Sequence, residues 1–293
     1  MNNFIPKLKQ NATIAIIAPA GCITEKENIE RAKSYFEKLG CKIVYGKHLF
    51  NKNKYMAGLD EERLADLHWA FLDKSIDAII CARGGYGCLR LIDKIDYELI
   101  KSNPKFFCGY SDITILSAMF LKRAGLITYS GPMAKGDFGK EILSEYTIEN
   151  FFRTINKLDK LEYVANKPYF KGNAEGILFG GNLASIASLC GTDFLPDEEF
   201  IFFAEDVNES VYKIDKMFTQ LLNIDKFRKN VTGIILGDFI DSGYPKQLDE
   251  LFTEIANKLS IPVLGGFNIS HGTDKITIPY GAAAKIIEDK LIY

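Results

Sequence analysis

The feature that most constrains this chain is the alternation in its first half, where short apolar, β-rich runs recur between segments of helical spacing. TIAIIA at 13–18 is followed by a helical stretch at 25–39 that stops at Gly40, and by a second extended run at 41–45. A helix at 60–72 is expected to start on Asp60 as its N-cap. Further runs at 76–81, 105–108 and 127–129 are separated by a short helical segment at 88–93 and by DITILSAMFLKRAG. The latter carries Ile113, Leu116, Met119 and Phe120 on one helical face. Strands alternating with amphipathic helices predict a mostly parallel sheet covered on both faces. In such sheets ligands sit beyond the carboxyl ends of the strands.

The pattern loosens after a helix at 141–157. KLDKLEYVANKPYFKGNAEG is polar, holds Pro168 and two glycines, and reads as a linker with an edge strand. A boundary there divides the chain into residues 1–160 and 161–293. The second part mixes strands at 174–179, 200–204, 231–236, 261–264, 275–278 and 283–288 with helices at 182–190, 211–223 and 246–259. Its last strands are joined by turns alone, which excludes a second simple doubly wound sheet.

Composition narrows the function classes. With 36 Lys+Arg against 38 Asp+Glu the net charge is −2, and no basic block offers a footprint for nucleic acid. No apolar stretch is long enough for a membrane span. The opening MNNFIPKLKQNATIAIIAPAG lacks the pattern of a secretory signal. The six cysteines form no C-x-x-C pair and sit in apolar contexts, which reads as reduced thiols in a cytoplasmic protein. His48, His68 and His271 are far apart, so no metal spacing and no cofactor motif is present.

Three segments could carry chemistry. FCGYSDIT places Ser111 at a strand-to-helix turn, where its hydroxyl reads as a helix cap or as a nucleophile. ARGGYG, after the third strand, has three glycines in four positions and reads as a tight turn or as an anion-binding backbone loop. FFAEDVNES sets Glu205 and Asp206 at a strand end, and NISHGTDKITIPYG puts His271 in a glycine-flanked turn. A serine needs an adjacent base, and an imidazole needs an acid to hold its tautomer, so the three segments have the parts of a Ser–His–acid machine. Ile113 stands where an α/β-hydrolase elbow would have its second glycine, which argues against that fold.

Taken in order, TIAIIAPAG, ARGGYG, GYSDIT, SGPM, GGNLASIASLCGTDFLPD, AEDVNE and SHGTDKITIPYG resemble the LD-carboxypeptidases, cytoplasmic serine peptidases of cell-wall peptides, and the related microcin-immunity peptidases. The resemblance covers nearly the whole chain. It implies an N-terminal flavodoxin-like parallel sheet, a second, smaller swivelling β/β/α domain, and a site between them. By that resemblance Ser111 is the nucleophile, Glu205 the triad acid and His271 the base. The backbone N–H groups of Asp112 and Gly85 would form the oxyanion hole. Arg83 and Gly84 are expected to meet the substrate, with Arg83 either holding a carboxylate or pairing with a structural acid. Asn182 would touch the peptide or cap a helix. Ser270 stands where many relatives have glycine. The implied reaction removes the terminal D-alanine from a muropeptide tetrapeptide during peptidoglycan recycling, by a homodimer that uses no metal. Two other readings stay open: hydrolysis of a peptidyl- or aminoacyl-nucleotide antibiotic, and a two-domain binding protein without catalysis.

Overall fold

The computed structural model describes residues 8–156 and 160–293; Met1–Lys7, and the start of the polar stretch at 157–159, lie outside the described residues. Five strands, β1 (Thr13–Ile17), β2 (Lys42–Tyr45), β3 (Ala78–Cys81), β4 (Phe106–Cys108) and β5 (Thr128–Ser130), form a parallel sheet in the order β2-β1-β3-β4-β5. Helices α1 (Lys26–Lys38), α2 (Asp60–Leu72), α3 (Tyr97–Ser102), α4 (Ile113–Ala124) and α5 (Glu145–Asn156) are interleaved with or follow these strands. This is the flavodoxin-type order, with its topological switch point between β1 and β3. The inner strands are apolar on both faces, as a sheet covered from both sides demands.

The second sheet has eight strands in the order β6-β14-β13-β8-β9-β10-β11-β7. Its members are β6 (Glu162–Val164), β7 (Lys167–Phe170), β8 (Gly172–Asn182), β9 (Phe200–Val207), β10 (Val231–Ile240), β11 (Val263–Gly265), β13 (Ala283–Glu288) and β14 (Lys290–Ile292). The four central strands β8-β9-β10-β11 run parallel and the flanking ones antiparallel. Helices α6 (Leu183–Ala187), α7 (Val211–Leu222), α8 (Asp225–Asn230) and α9 (Pro245–Leu259) accompany it. The strand expected at 275–278 is instead β12 (Ile278–Tyr280), and it pairs antiparallel with β5 at the edge of the first sheet. The two sheets are therefore laced together late in the chain. They also touch closely where α4 meets β8. A Cβ on Gly181 (φ +118°) would lie 2.6 Å from Thr114 Oγ1, so only glycine admits α4, the helix that follows Ser111, this near the end of β8.

Asp60 is not the cap of α2; the N-cap is Leu59, whose N–H is taken by the Glu62 carboxylate at 2.8 Å. The Asp60 carboxylate turns inward to Arg90 Nε (2.8 Å) and to Arg63 Nη2 (2.5 Å). Arg63, whose side chain is wholly buried, also donates to Pro19 O, just after β1, and lies against Gly87. The Arg90 and Arg63 guanidiniums hold the Asp60 carboxyl down at about 2. Asp60→Asn should cost about 3 kcal/mol at neutral pH, because it leaves Arg63 buried without its counter-charge. A folded-state value below the ordinary one stabilises above that ordinary value and loses its effect as pH falls through the folded value. Denaturant midpoints of wild type and variant should thus converge between about pH 4 and pH 2; a gap unchanged across that range would show that the pair does not set it.

Candidate active site

The crevice lies beyond the carboxyl ends of β1, β3 and β4, at the switch point of the first sheet. The loop after β3 is tied to the loop after β1 by the Gly21 N–H, which donates to Gly84 O at 3.1 Å. Asp112 fastens the same loop from the other side, its carboxylate accepting the Cys88 N–H at 2.9 Å. Burial pushes the Asp112 carboxyl up, against that hydrogen bond. The glycine-rich segment is thus clamped between two strand ends.

Ser111 follows β4 with φ +64°, the left-handed region that a serine occupies only at a cost of about 1–3 kcal/mol. A strained serine on a strand-to-helix turn projects its hydroxyl out of the sheet. The cap of α4 falls on Asp112, and among the described residues the Ser111 hydroxyl donates to or accepts from no helix N–H. Gly84 leans on it: a Cβ there would stand 2.6 Å from Ser111 Cβ and 2.8 Å from its Oγ. The Asp112 and Gly85 N–H groups have no hydrogen-bond partner among the described residues.

The second sheet supplies the other half. Glu205 and Asp206 are adjacent on β9 and each is 3% exposed, but strand alternation sends them to different partners. Glu205 Oε2 is 2.6 Å from His271 Nδ1. Asp206 accepts the N–H groups of Ala184 and Val207 and the Asn182 side-chain amide, each at 2.9 Å. Asn182 itself caps α6, its Oδ1 accepting the Ser185 N–H at 3.0 Å. Capping is therefore what its side chain does here, and it does not line the cleft. Burial pushes Glu205 up, with His271 pulling it back; burial likewise raises Asp206 against its N–H donors. The Glu205 Oε1 atom is buried with no hydrogen-bond partner among the described residues.

Ser111 and His271 line one cleft of about 350 Å³, together with Arg83, Gly84, Gly85 and Tyr110. Their side chains make no hydrogen bond to each other among the described residues; such bonds commonly tighten only when substrate is bound. Among the described residues Arg83 pairs with no acid. Its guanidinium rests on the carbonyls of Gly84 and Cys22, both at 3.2 Å, and so its charge stays available to the cleft. Sequence reasoning missed Asn28 on α1 and Lys135 and Lys140, which also line it. Lys135 lies on a turn of π-helix over Ala134–Phe138, and Lys140 follows just after it. No local signal marks a residue whose role comes from a neighbouring element. A wider depression of about 790 Å³ beside Tyr212 and Tyr244 contains none of these groups. Among the described residues no group of three or more His, Cys, Asp or Glu is placed to hold a metal ion. No described helix is long and apolar enough to cross a membrane.

A two-sheet α/β chain with a strained serine under a glycine loop and a carboxylate–imidazole pair on the facing sheet has the outline of a serine hydrolase. The chain belongs to the LD-carboxypeptidase family: models of that family's N-terminal and C-terminal domains match residues 14–131 and 175–286. It is 36% identical to the probable murein peptide carboxypeptidase of Bacillus subtilis (strain 168), over 96% of this chain and 91% of that protein. Two solved structures are similar throughout. One is the MccF-like protein from Bacillus anthracis str. Ames (TM-score 0.91, 28% identity, 98% and 97% of the two chains). The other is the muramoyltetrapeptide carboxypeptidase from Oxalobacter formigenes (TM-score 0.85, 29% identity, 96% and 97%).

Proposed function

We propose that this chain is a serine LD-carboxypeptidase that removes the terminal D-alanine from muropeptide tetrapeptides, with Ser111, His271 and Glu205 as its triad. The observation that carries the reading is the strained Ser111 sharing a cleft with an imidazole whose Nδ1 is held by a buried carboxylate. With Nδ1–H donated to Glu205, Nε2 is the basic nitrogen. It takes the Ser111 proton as Oγ attacks the scissile carbonyl and returns that proton to the leaving amine of D-alanine. Water, deprotonated by the same nitrogen, then releases the acyl group from Ser111. The N–H groups of Asp112 and Gly85, without a partner among the described residues, are the donors offered to the oxyanion.

A carboxypeptidase must bind a free carboxylate, and Arg83, Lys135 and Lys140 make the cleft cationic. Lys135 already pairs with Glu25 at the rim; Arg83, resting on carbonyls, is the candidate for the substrate's terminus. The same reading places the enzyme in the cytoplasm as a homodimer acting in peptidoglycan recycling, with one domain to about residue 160 and one beyond it. The likeness to an MccF-like protein favours a second reading, hydrolysis of a peptidyl- or aminoacyl-nucleotide antibiotic. Against it, Trp69, the one tryptophan that could stack a base, lies on α2 and is not part of the cleft. Mass analysis of a muropeptide tetrapeptide and of an aminoacyl sulfamoyl nucleoside after incubation with the protein tests both. Conversion of the tetrapeptide to tripeptide plus D-alanine is expected; cleavage of the nucleoside alone would refute the carboxypeptidase assignment.

Gly84→Ala gives a local test. A methyl group at 2.6 Å from Ser111 Cβ forces the loop or the serine to move, and displacements near 1 Å at reacting atoms cost about 10²-fold in rate. We expect kcat/KM to fall by that order with an unchanged circular dichroism spectrum; wild-type turnover would remove Gly84 from the site.

A further inference from the structure

The loop that carries His271 is fastened to the first half of the chain by a buried ion pair. Lys275 Nζ lies 2.5 Å from Asp137 Oδ1, and each side chain is 3% exposed. The other Asp137 oxygen accepts the Met133 N–H at 2.8 Å, which fixes the carboxylate in the π-helical turn. Lys275 Nζ also donates to Gly272 O at 2.9 Å and stands 5.1 Å from the centre of the Tyr110 ring. That ring meets the His271 imidazole edge-on, with centroids 5.1 Å apart. One ammonium group thus touches the residue before the serine and the residue after the histidine. The surrounding bonds run the same way: Thr147 on α5 accepts the Lys275 N–H and donates to Thr273 O, both at 2.9 Å.

A buried pair of this kind is poorly explained by stability. Desolvating both ions costs about what their attraction returns, and apolar replacements of similar volume are often neutral or better. A fixed cation is useful for geometry, because it imposes direction on three partners at once: the Asp137 carboxylate, the Gly272 carbonyl and the Tyr110 ring. We infer that the Lys275–Asp137 pair is a positioning device for catalysis, setting the height of the 271–275 loop and the tilt of the Tyr110 ring against which His271 rests. The inference rests on His271 being the base for Ser111. Lys275 and Asp137 are not among the residues lining the cleft, so they act through Tyr110 and His271, which are.

The test compares wild type with Lys275→Met, Asp137→Asn, the double variant Asp137→Asn/Lys275→Met and His271→Ala on the tetrapeptide. The kcat is expressed per folded molecule, with the folded fraction taken from circular dichroism. Lys275→Met strands a buried carboxylate and should lower Tm by about 10 °C. The double variant removes both charges and should recover most of that loss. Its kcat should nevertheless stay down by about 10²-fold with KM within about threefold of wild type, since the base is misplaced and the peptide contacts are not. Should Lys275→Met not fold, Asp137→Asn, nearly isosteric, must show the same split between kcat and KM. A double variant with wild-type kcat, or one whose loss lies in KM, overturns the inference. Turnover retained by His271→Ala would instead overturn the triad beneath it.

Discussion

Ser111→Ala is expected to leave the fold intact and to cut kcat by roughly 10⁴-fold or more. The members of a triad act as one unit, so removing the nucleophile forfeits nearly all that the histidine and the acid contribute; only binding and oxyanion donors remain. The structural cost runs the other way. The serine hydroxyl makes no hydrogen bond among the described residues, so the methyl group leaves no partner unsatisfied, although the strained backbone at φ +64° stays strained. Circular dichroism and Tm should match wild type while tetrapeptide turnover disappears. A purified variant retaining more than a few per cent of wild-type kcat would mean that another group attacks the carbonyl.

The second large effect separates two neighbouring carboxylates. Glu205→Gln keeps the shape of the contact to His271 Nδ1 but not its charge, so it cannot stabilise the imidazolium that the proposed attack by Ser111 requires. We expect kcat to fall by ~10²–10⁴-fold. Asp206→Asn should change kcat by a few fold at most. It disturbs the cap of α6, where one oxygen that now accepts an N–H becomes a donor, and should cost about 1–3 kcal/mol of stability. Glu205 also carries a pH signature. Burial raises its folded value above the ordinary one, so the wild-type chain loses stability as pH rises through that interval and is free of the penalty below it. The Gln variant has no such group. Its Tm relative to wild type should therefore improve between about pH 4 and neutrality, measured by thermal scans at each pH. A relative Tm that is flat across that range would contradict the burial account, and equal kcat losses in the two variants would contradict the assignment.

Much of the first sheet was legible because its signals are local. An inner strand covered on both faces must be apolar throughout, and the helices between must show one apolar stripe, so β1 to β5 and α1, α2, α4 and α5 fall within a few residues of their expected positions. The strand-to-helix turn at Ser111 was readable for the same reason, with strand, Gly109, Tyr110, Ser111 and helix in close succession, whereas its left-handed φ was not. Asp60 shows where local reading stops. It has the look of a cap, yet two arginines, one of them 30 residues further on, claim its carboxylate. β12 was misplaced because its partner, β5, is 148 residues earlier in register (Ile278 with Ser130), and no local pattern records such a pairing. Between Glu205 and Asp206 the alternation of a strand says only that they face opposite ways. Which one meets His271 depends on the packing of the loop after β11. The chain between Met133 and Lys140 was opaque for a further reason: a π-helical turn has no simple apolar period, so Lys135 on it, and Lys140 just after it, carry no sequence mark.

The most direct test of the central claim is chemical. The protein is treated with a phosphonylating active-serine reagent, and intact mass with peptide mapping locates the adduct. One adduct, on Ser111, is predicted in wild type, with labelling slowed by several orders of magnitude in His271→Ala because the hydroxyl then lacks its base. An unlabelled Ser111 in a preparation that still turns over tetrapeptide, or labelling equally fast without His271, would contradict it.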